Sequence, residues 1–164
     1  MSCCPPNSLP ANPTASDATP IKAGNTDDFF YDNATTSTLV LVFPDIYDPD
    51  SHQRQLRPTQ RVLQGGPSRP FELLVAKIHN IVAHFQANHG VTTFGAVGYC
   101  WGAWIVAKCS ADSSTELSAG VSFHPSWRVE ERYHGEGSGA KIAESITVPQ
   151  LILTAGNDPK WLKP

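Results

Sequence analysis

At 164 residues, with 40% of them apolar, the chain is long enough for one domain and one buried core. Only 16% of the residues are charged and the formal net charge is -3, so there is no basic field to neutralise phosphates, which argues against nucleic acid as a partner. No apolar run approaches the roughly 18 residues that span a bilayer, and the N-terminus lacks the charged and apolar regions of a signal peptide. A cytoplasmic protein without a membrane is the expectation.

Residues 1–36 are rich in Pro, Asn, Ser, Thr and Ala and poor in large apolar groups. Such a composition buries too little surface to offset ordering entropy, so this stretch is expected to be an irregular leader with at most a short strand around Phe29 to Tyr31. The domain proper is expected over residues 37–164. From Thr38 to Phe43 the run Thr-Leu-Val-Leu-Val-Phe, stopped by Pro44, predicts a strand buried on both faces. Asp45-Ile46-Tyr47 follows at its C-terminal end, where α/β sheets place ligand-binding loops.

Pro58, Gly65, Gly66, Pro67 and Pro70 punctuate a stretch without a sustained period, read as a long loop. Between Phe71 and Asn88, apolar residues at 71, 74, 75, 78, 81, 82 and 85 recur at three and four and predict an amphipathic helix stopped at Gly90. A short strand over Phe94 to Val97, a turn carrying Cys100 and a buried helix over Ala103 to Ala107 come next. Ala119 to Phe123 and Pro149 to Ala155 are two more strand candidates, separated by a Gly-containing loop with a helical turn near Ala140 to Ser145. Strands alternating with helices give an α/β class with a mostly parallel sheet flanked by helices.

Of the four cysteines, Cys3 and Cys4 are adjacent while Cys100 and Cys109 stand apart, which is neither a disulfide framework nor a zinc-ligand spacing. Gly98-Tyr99-Cys100-Trp101-Gly102 has the form glycine, any residue, nucleophile, any residue, glycine. The glycines let backbone pass close beneath a residue held in a strained strand-to-helix turn. A thiol at a helix N-terminus gains from its free N–H groups, and the N–H after the nucleophile, that of Trp101, can donate to an oxyanion. The same pentapeptide also suits a buried cysteine in a turn that needs glycine for packing alone.

The pentapeptide resembles the Gly-(Phe/Tyr)-Cys-Trp-Gly motif of the dienelactone hydrolases, the carboxymethylenebutenolidases of the α/β-hydrolase superfamily. Phe43-Pro44-Asp45-Ile46-Tyr47, Ser122-Phe123-His124-Pro125-Ser126 and Ala155-Gly156-Asn157-Asp158 agree with that family in order and spacing. The resemblance implies a partial α/β-hydrolase fold and a hydrolase that cleaves a small ester or lactone without a metal or organic cofactor. It assigns Cys100 as nucleophile, Asp158 as the triad carboxylate, and the N–H groups of Ile46 and Trp101 as the oxyanion hole. It places Asp45, Tyr99 and His124 around the substrate, with His124 lining the site rather than relaying protons. Asp158 equally suits a simple Asn-Asp-Pro turn. Trp101 and Trp104 suit core or pocket wall, and His79, His84 and His89 surface or packing positions.

No residue here matches the family's histidine, which lies tens of residues beyond the triad aspartate. The distance from Asp45 to Cys100 is also about thirty residues shorter than the family pattern, as though a helix and a central strand were absent. Both deficits suggest a truncated chain, and a catalytically inactive remnant or small-molecule-binding protein is the alternative to an active hydrolase. Substrate identity and oligomeric state are not set by these features.

Overall fold

The computed structural model describes residues 21–28, 30–32, 35–45 and 71–163. A two-stranded hairpin opens the described chain: β1 (Ile21–Ala23) and β2 (Thr26–Asp28) pair antiparallel across Gly24-Asn25. Gly24 has φ +61°, and a Cβ there would press on Asn80, so the turn needs glycine for both backbone and space. Ala23 is fully buried within the hydrophobic core and Ile21 packs against it. The packed part of the protein thus reaches back into the stretch expected to be an irregular leader, and the strand lies before the predicted Phe29 to Tyr31.

The main sheet contains β3 (Thr38–Phe43), β4 (Thr93–Tyr99), β5 (Leu117–Phe123) and β6 (Gln150–Leu153), in that spatial order and all parallel. Helix α1 (Glu72–His89) precedes β4, and its buried residues Leu74, Ile78, Ile81, Val82 and Phe85 are the stripe read from the sequence. Gly90 closes it in the left-handed conformation, its N–H bonded to the Phe85 carbonyl. Helix α2 (Trp101–Ala111) links β4 to β5; its continuous buried run from Trp101 to Ala107 marks a helix covered on all sides. Between β5 and β6 come a single 3₁₀ turn (Trp127–Glu130), the short α3 (Glu131–His134) and α4 (Ser138–Ser145).

Each successive strand is added on the same side of the one before it, β3 to β4 to β5 to β6. Parallel crossovers are right-handed, so steps in one direction put their helices on one face of the sheet. That face holds the core, in which Phe43, Phe94, Ala96, Trp104, Ile105, Val106 and Ile142 are buried together. No helix among the described residues covers the opposite face, where Val40, Val42, Tyr99, Leu151 and Leu153 are all exposed.

Two expectations change accordingly. β3 is not buried on both faces: Leu39, Leu41 and Phe43 turn inward while Val40 and Val42 are 53% and 63% exposed. Nor does the short stretch between Asp45 and Cys100 leave a gap inside the sheet. β3 and β4 pair directly from Thr38↔Thr93 to Phe43↔Gly98, so no strand is missing between them.

Candidate active site

The C-terminal ends of the four strands bring the candidate residues to one edge of the sheet, as the parallel arrangement requires. β4 ends at Tyr99 and α2 begins at Trp101, so Cys100 alone makes the turn. Its φ of 53° and ψ of -110° lie outside the regions a side-chain-bearing residue normally adopts, a strain that persists only where the surroundings enforce it.

Both flanking glycines take part in that enforcement. A Cβ on Gly98 would collide with the Gly102 carbonyl, and one on Gly102 with the carbonyls of Phe43 and Pro44. The first turn of α2 therefore lies directly against the end of β3, which brings Asp45 to the same edge as Cys100. Two backbone bonds fix the turn from the other side: the Cys100 N–H donates to the Phe123 carbonyl at 3.0 Å, and the Ser126 N–H donates to the Cys100 carbonyl at 3.0 Å. The Cys100 side chain is buried, and its Sγ lies 3.1 Å from Ser126 Oγ.

Asp158 is also buried, and its two carboxylate oxygens have separate partners. Oδ2 accepts the Ala155 N–H at 2.7 Å, while the Asp158 N–H donates to the Ala155 carbonyl at 3.1 Å, closing the turn after β6. Oδ1 lies 2.6 Å from His124 Nδ1, an ion-pair distance, though the ring nitrogen is off the direction of an aligned hydrogen bond. His124 has a positive φ of 48°, and its N–H donates to the Leu153 carbonyl at 2.8 Å, which ties the end of β5 to that of β6. Different oxygens of this one side chain thus close the turn and contact the His124 ring.

Among the expected site residues, Cys100, Trp101, His124 and Asp158 sit on neighbouring strand ends. Asp45 is half-buried after β3. Tyr99 stacks on Phe123 with centroids 4.8 Å apart, and strand alternation puts both rings on the open face of the sheet. Ile46, the other expected oxyanion donor, lies outside the described residues. Ser126 was not expected to touch the thiol; its position in the Ser-Phe-His-Pro-Ser segment was on view, but only the pairing of β4 with β5 reveals the contact. Cys109 serves as an internal contrast, since burial and the nearby Asp112 push its thiol up to about 12. No group of three or more His, Cys, Asp or Glu side chains among the described residues has the arrangement of a metal site.

The model of the dienelactone hydrolase family matches residues 24–163, the greater part of the chain. The chain belongs to the dienelactone hydrolase family. A curated relative, "Dienlactone hydrolase 1" of Gibberella moniliformis (strain M3125 / FGSC 7600), is 41% identical over 77 residues. That match covers 47% of this chain and 28% of the relative, so the chain spans under a third of the length of the dienelactone hydrolase it matches. No solved structure matches the chain. Its four parallel strands with helices on one side form part of an α/β-hydrolase sheet. No described helix is long and apolar enough to cross a membrane.

Proposed function

We propose that the protein hydrolyses a small ester or lactone through a cysteine nucleophile. The observation that carries this reading is the strained turn at Cys100, held between two glycines that no other residue type could replace. Sγ attacks the substrate carbonyl carbon, the carbonyl π electrons move onto oxygen, and the resulting oxyanion accepts from the Trp101 N–H at the start of α2. Collapse of this intermediate expels the alcohol oxygen, which takes up a proton, and leaves a thioester on Cys100. Water then adds to the thioester and returns the thiol, so the net reaction consumes one water.

The imidazole in contact with Asp158 is the group suited to accept the thiol proton and pass it to the leaving oxygen. His124 Nδ1 lies 2.6 Å from that carboxylate, so His124, expected only to line the site, is the residue we propose for this role. Asp158 would hold the ring in place. Asp45, at the end of β3, would face the substrate.

A second reading, a catalytically inactive binding protein, is favoured by one observation: Gly102 lies against the Phe43 and Pro44 carbonyls, so the same turn also serves to pack α2 onto β3. Hydrolysis of an activated acetate ester separates the two. The native chain should exceed Cys100→Ala by at least about 100-fold, and His124→Gln should fall to a similar extent, because members of a triad act as a unit. Equal rates in the native chain and Cys100→Ala would establish the inactive reading.

A further inference from the structure

We infer that Ser126 is a positioning residue for the nucleophile, its hydroxyl donating to Cys100 Sγ when the sulfur is ionised. The inference deepens the reading of Cys100 as nucleophile and rests on it. Three observations converge. Ser126 Oγ is 3.1 Å from Sγ, well inside the range for a hydrogen bond to sulfur. Ser126 stands immediately before the 3₁₀ turn Trp127–Glu130, a position where a serine hydroxyl ordinarily caps the free N–H groups, yet it makes no capping bond. Its hydroxyl is turned to the cysteine instead.

The third observation is rigidity. The Ser126 N–H is bonded to the Cys100 carbonyl, and its own carbonyl accepts the Val129 N–H at 2.9 Å. Trp127, the next residue, is 1% exposed and donates from Nε1 to the Ala103 carbonyl at 3.3 Å. Pro125, on the other side, is fully buried. The hydroxyl thus approaches the sulfur from a backbone that cannot retreat, so little ordering entropy is lost when the bond forms.

A thiolate can only accept, so once Cys100 ionises the hydroxyl is the donor. The bond favours the charged, attacking form and aims one sulfur lone pair at Ser126, leaving the others for the substrate. Among the described residues, the other charged and titratable groups at these strand ends are Asp45 after β3, Tyr99 beside the turn, His124 after β5 and Asp158 after β6.

The test is alkylation of Cys100 by iodoacetamide as a function of pH, read by peptide mass on the full chain so that Cys3, Cys4 and Cys109 are scored separately. Ser126→Ala should slow Cys100 about tenfold near neutral pH, the size of a hydrogen bond to a charged group. The two proteins should converge at high pH, where Cys100 is ionised with or without the hydroxyl. Ser126→Thr, which keeps the hydroxyl, should restore the native rate, and Cys109 should be unchanged throughout. Superimposable Cys100 profiles for native and Ser126→Ala overturn the inference while leaving Cys100 reactive, and so does a Ser126→Thr protein as slow as Ser126→Ala. A native Cys100 that resists alkylation at all pH values instead overturns the nucleophile reading beneath it.

Discussion

Strain at Cys100 is affordable only because its neighbours leave no alternative. Gly102 lies so close to the Phe43 and Pro44 carbonyls that the smallest possible addition, one methyl group, must push α2 away from β3. Gly102→Ala is therefore expected to lower the unfolding free energy by at least about 3 kcal/mol, measured by urea denaturation, the upper range for an overpacked core position. An effect below about 1 kcal/mol would mean that the close approach is not maintained in solution. This residue-scale feature was legible in the sequence because it is local: two glycines and a cysteine within five residues define the turn. The contacts of His124 with Asp158 and of Ser126 with Cys100 were not, since they link residues 34 and 26 positions apart and depend on which strands become neighbours.

At the scale of elements, one buried carboxylate ties the turn after β5 to the helix that follows the nucleophile. Glu130 Oε2 accepts the Trp104 Nε1–H at 2.7 Å, and Oε1 pairs with Lys108 Nζ at 2.7 Å. Lys108 in turn sits over the Phe71 ring, 5.6 Å from its centre, linking α2 to the start of α1. Glu130→Ala would leave a buried indole N–H and a half-buried ammonium without their acceptor, at a cost of about 3 kcal/mol in chemical denaturation. Glu130→Gln should recover part of this loss, because its amide oxygen still accepts from Trp104; equal losses in the two variants would contradict this assignment. The helices themselves were readable from periodicity, α1 most clearly. The 3₁₀ turn that carries Glu130 and the following α3 were not, because four-residue elements lack a period to detect. The β1–β2 hairpin had a usable signal in Gly24-Asn25, hidden by the shortness of its three-residue strands and the polar Thr-Asp-Asp of β2.

At the scale of the whole molecule, the described residues form a sheet covered by helices on one face, a direct consequence of four strands laid down in one direction. Parallel sheets are ordinarily buried on both faces, so the exposed Val40, Val42, Leu151 and Leu153 call for a cover. A crossover leaving β3 in the opposite direction, away from β4, would by the same handedness put its helix on that open face. A continuous apolar run such as that of β3 identifies a strand but does not reveal whether its second face is covered, which is why both-face burial was misread. Val42→Lys together with Leu151→Lys should reduce binding of an environment-sensitive apolar dye and change stability by no more than about 0.5 kcal/mol per site. Ile105→Ala, on the covered face, should cost about 2–5 kcal/mol. Lysine substitutions as costly as Ile105→Ala would show that the outer face is buried in solution.

The central claim is that this turn still makes Cys100 a nucleophile, and the most direct measurement is the acyl-enzyme itself. The full chain is mixed with an activated acetate ester, quenched in acid and digested, and the position of any added acetyl group is read by peptide mass. The account predicts a hydroxylamine-labile acetyl thioester on Cys100, with none on Cys109, whose thiol burial keeps protonated. An unmodified Cys100 at every time point, with substrate turnover absent or equal to that of Cys100→Ala, would contradict it.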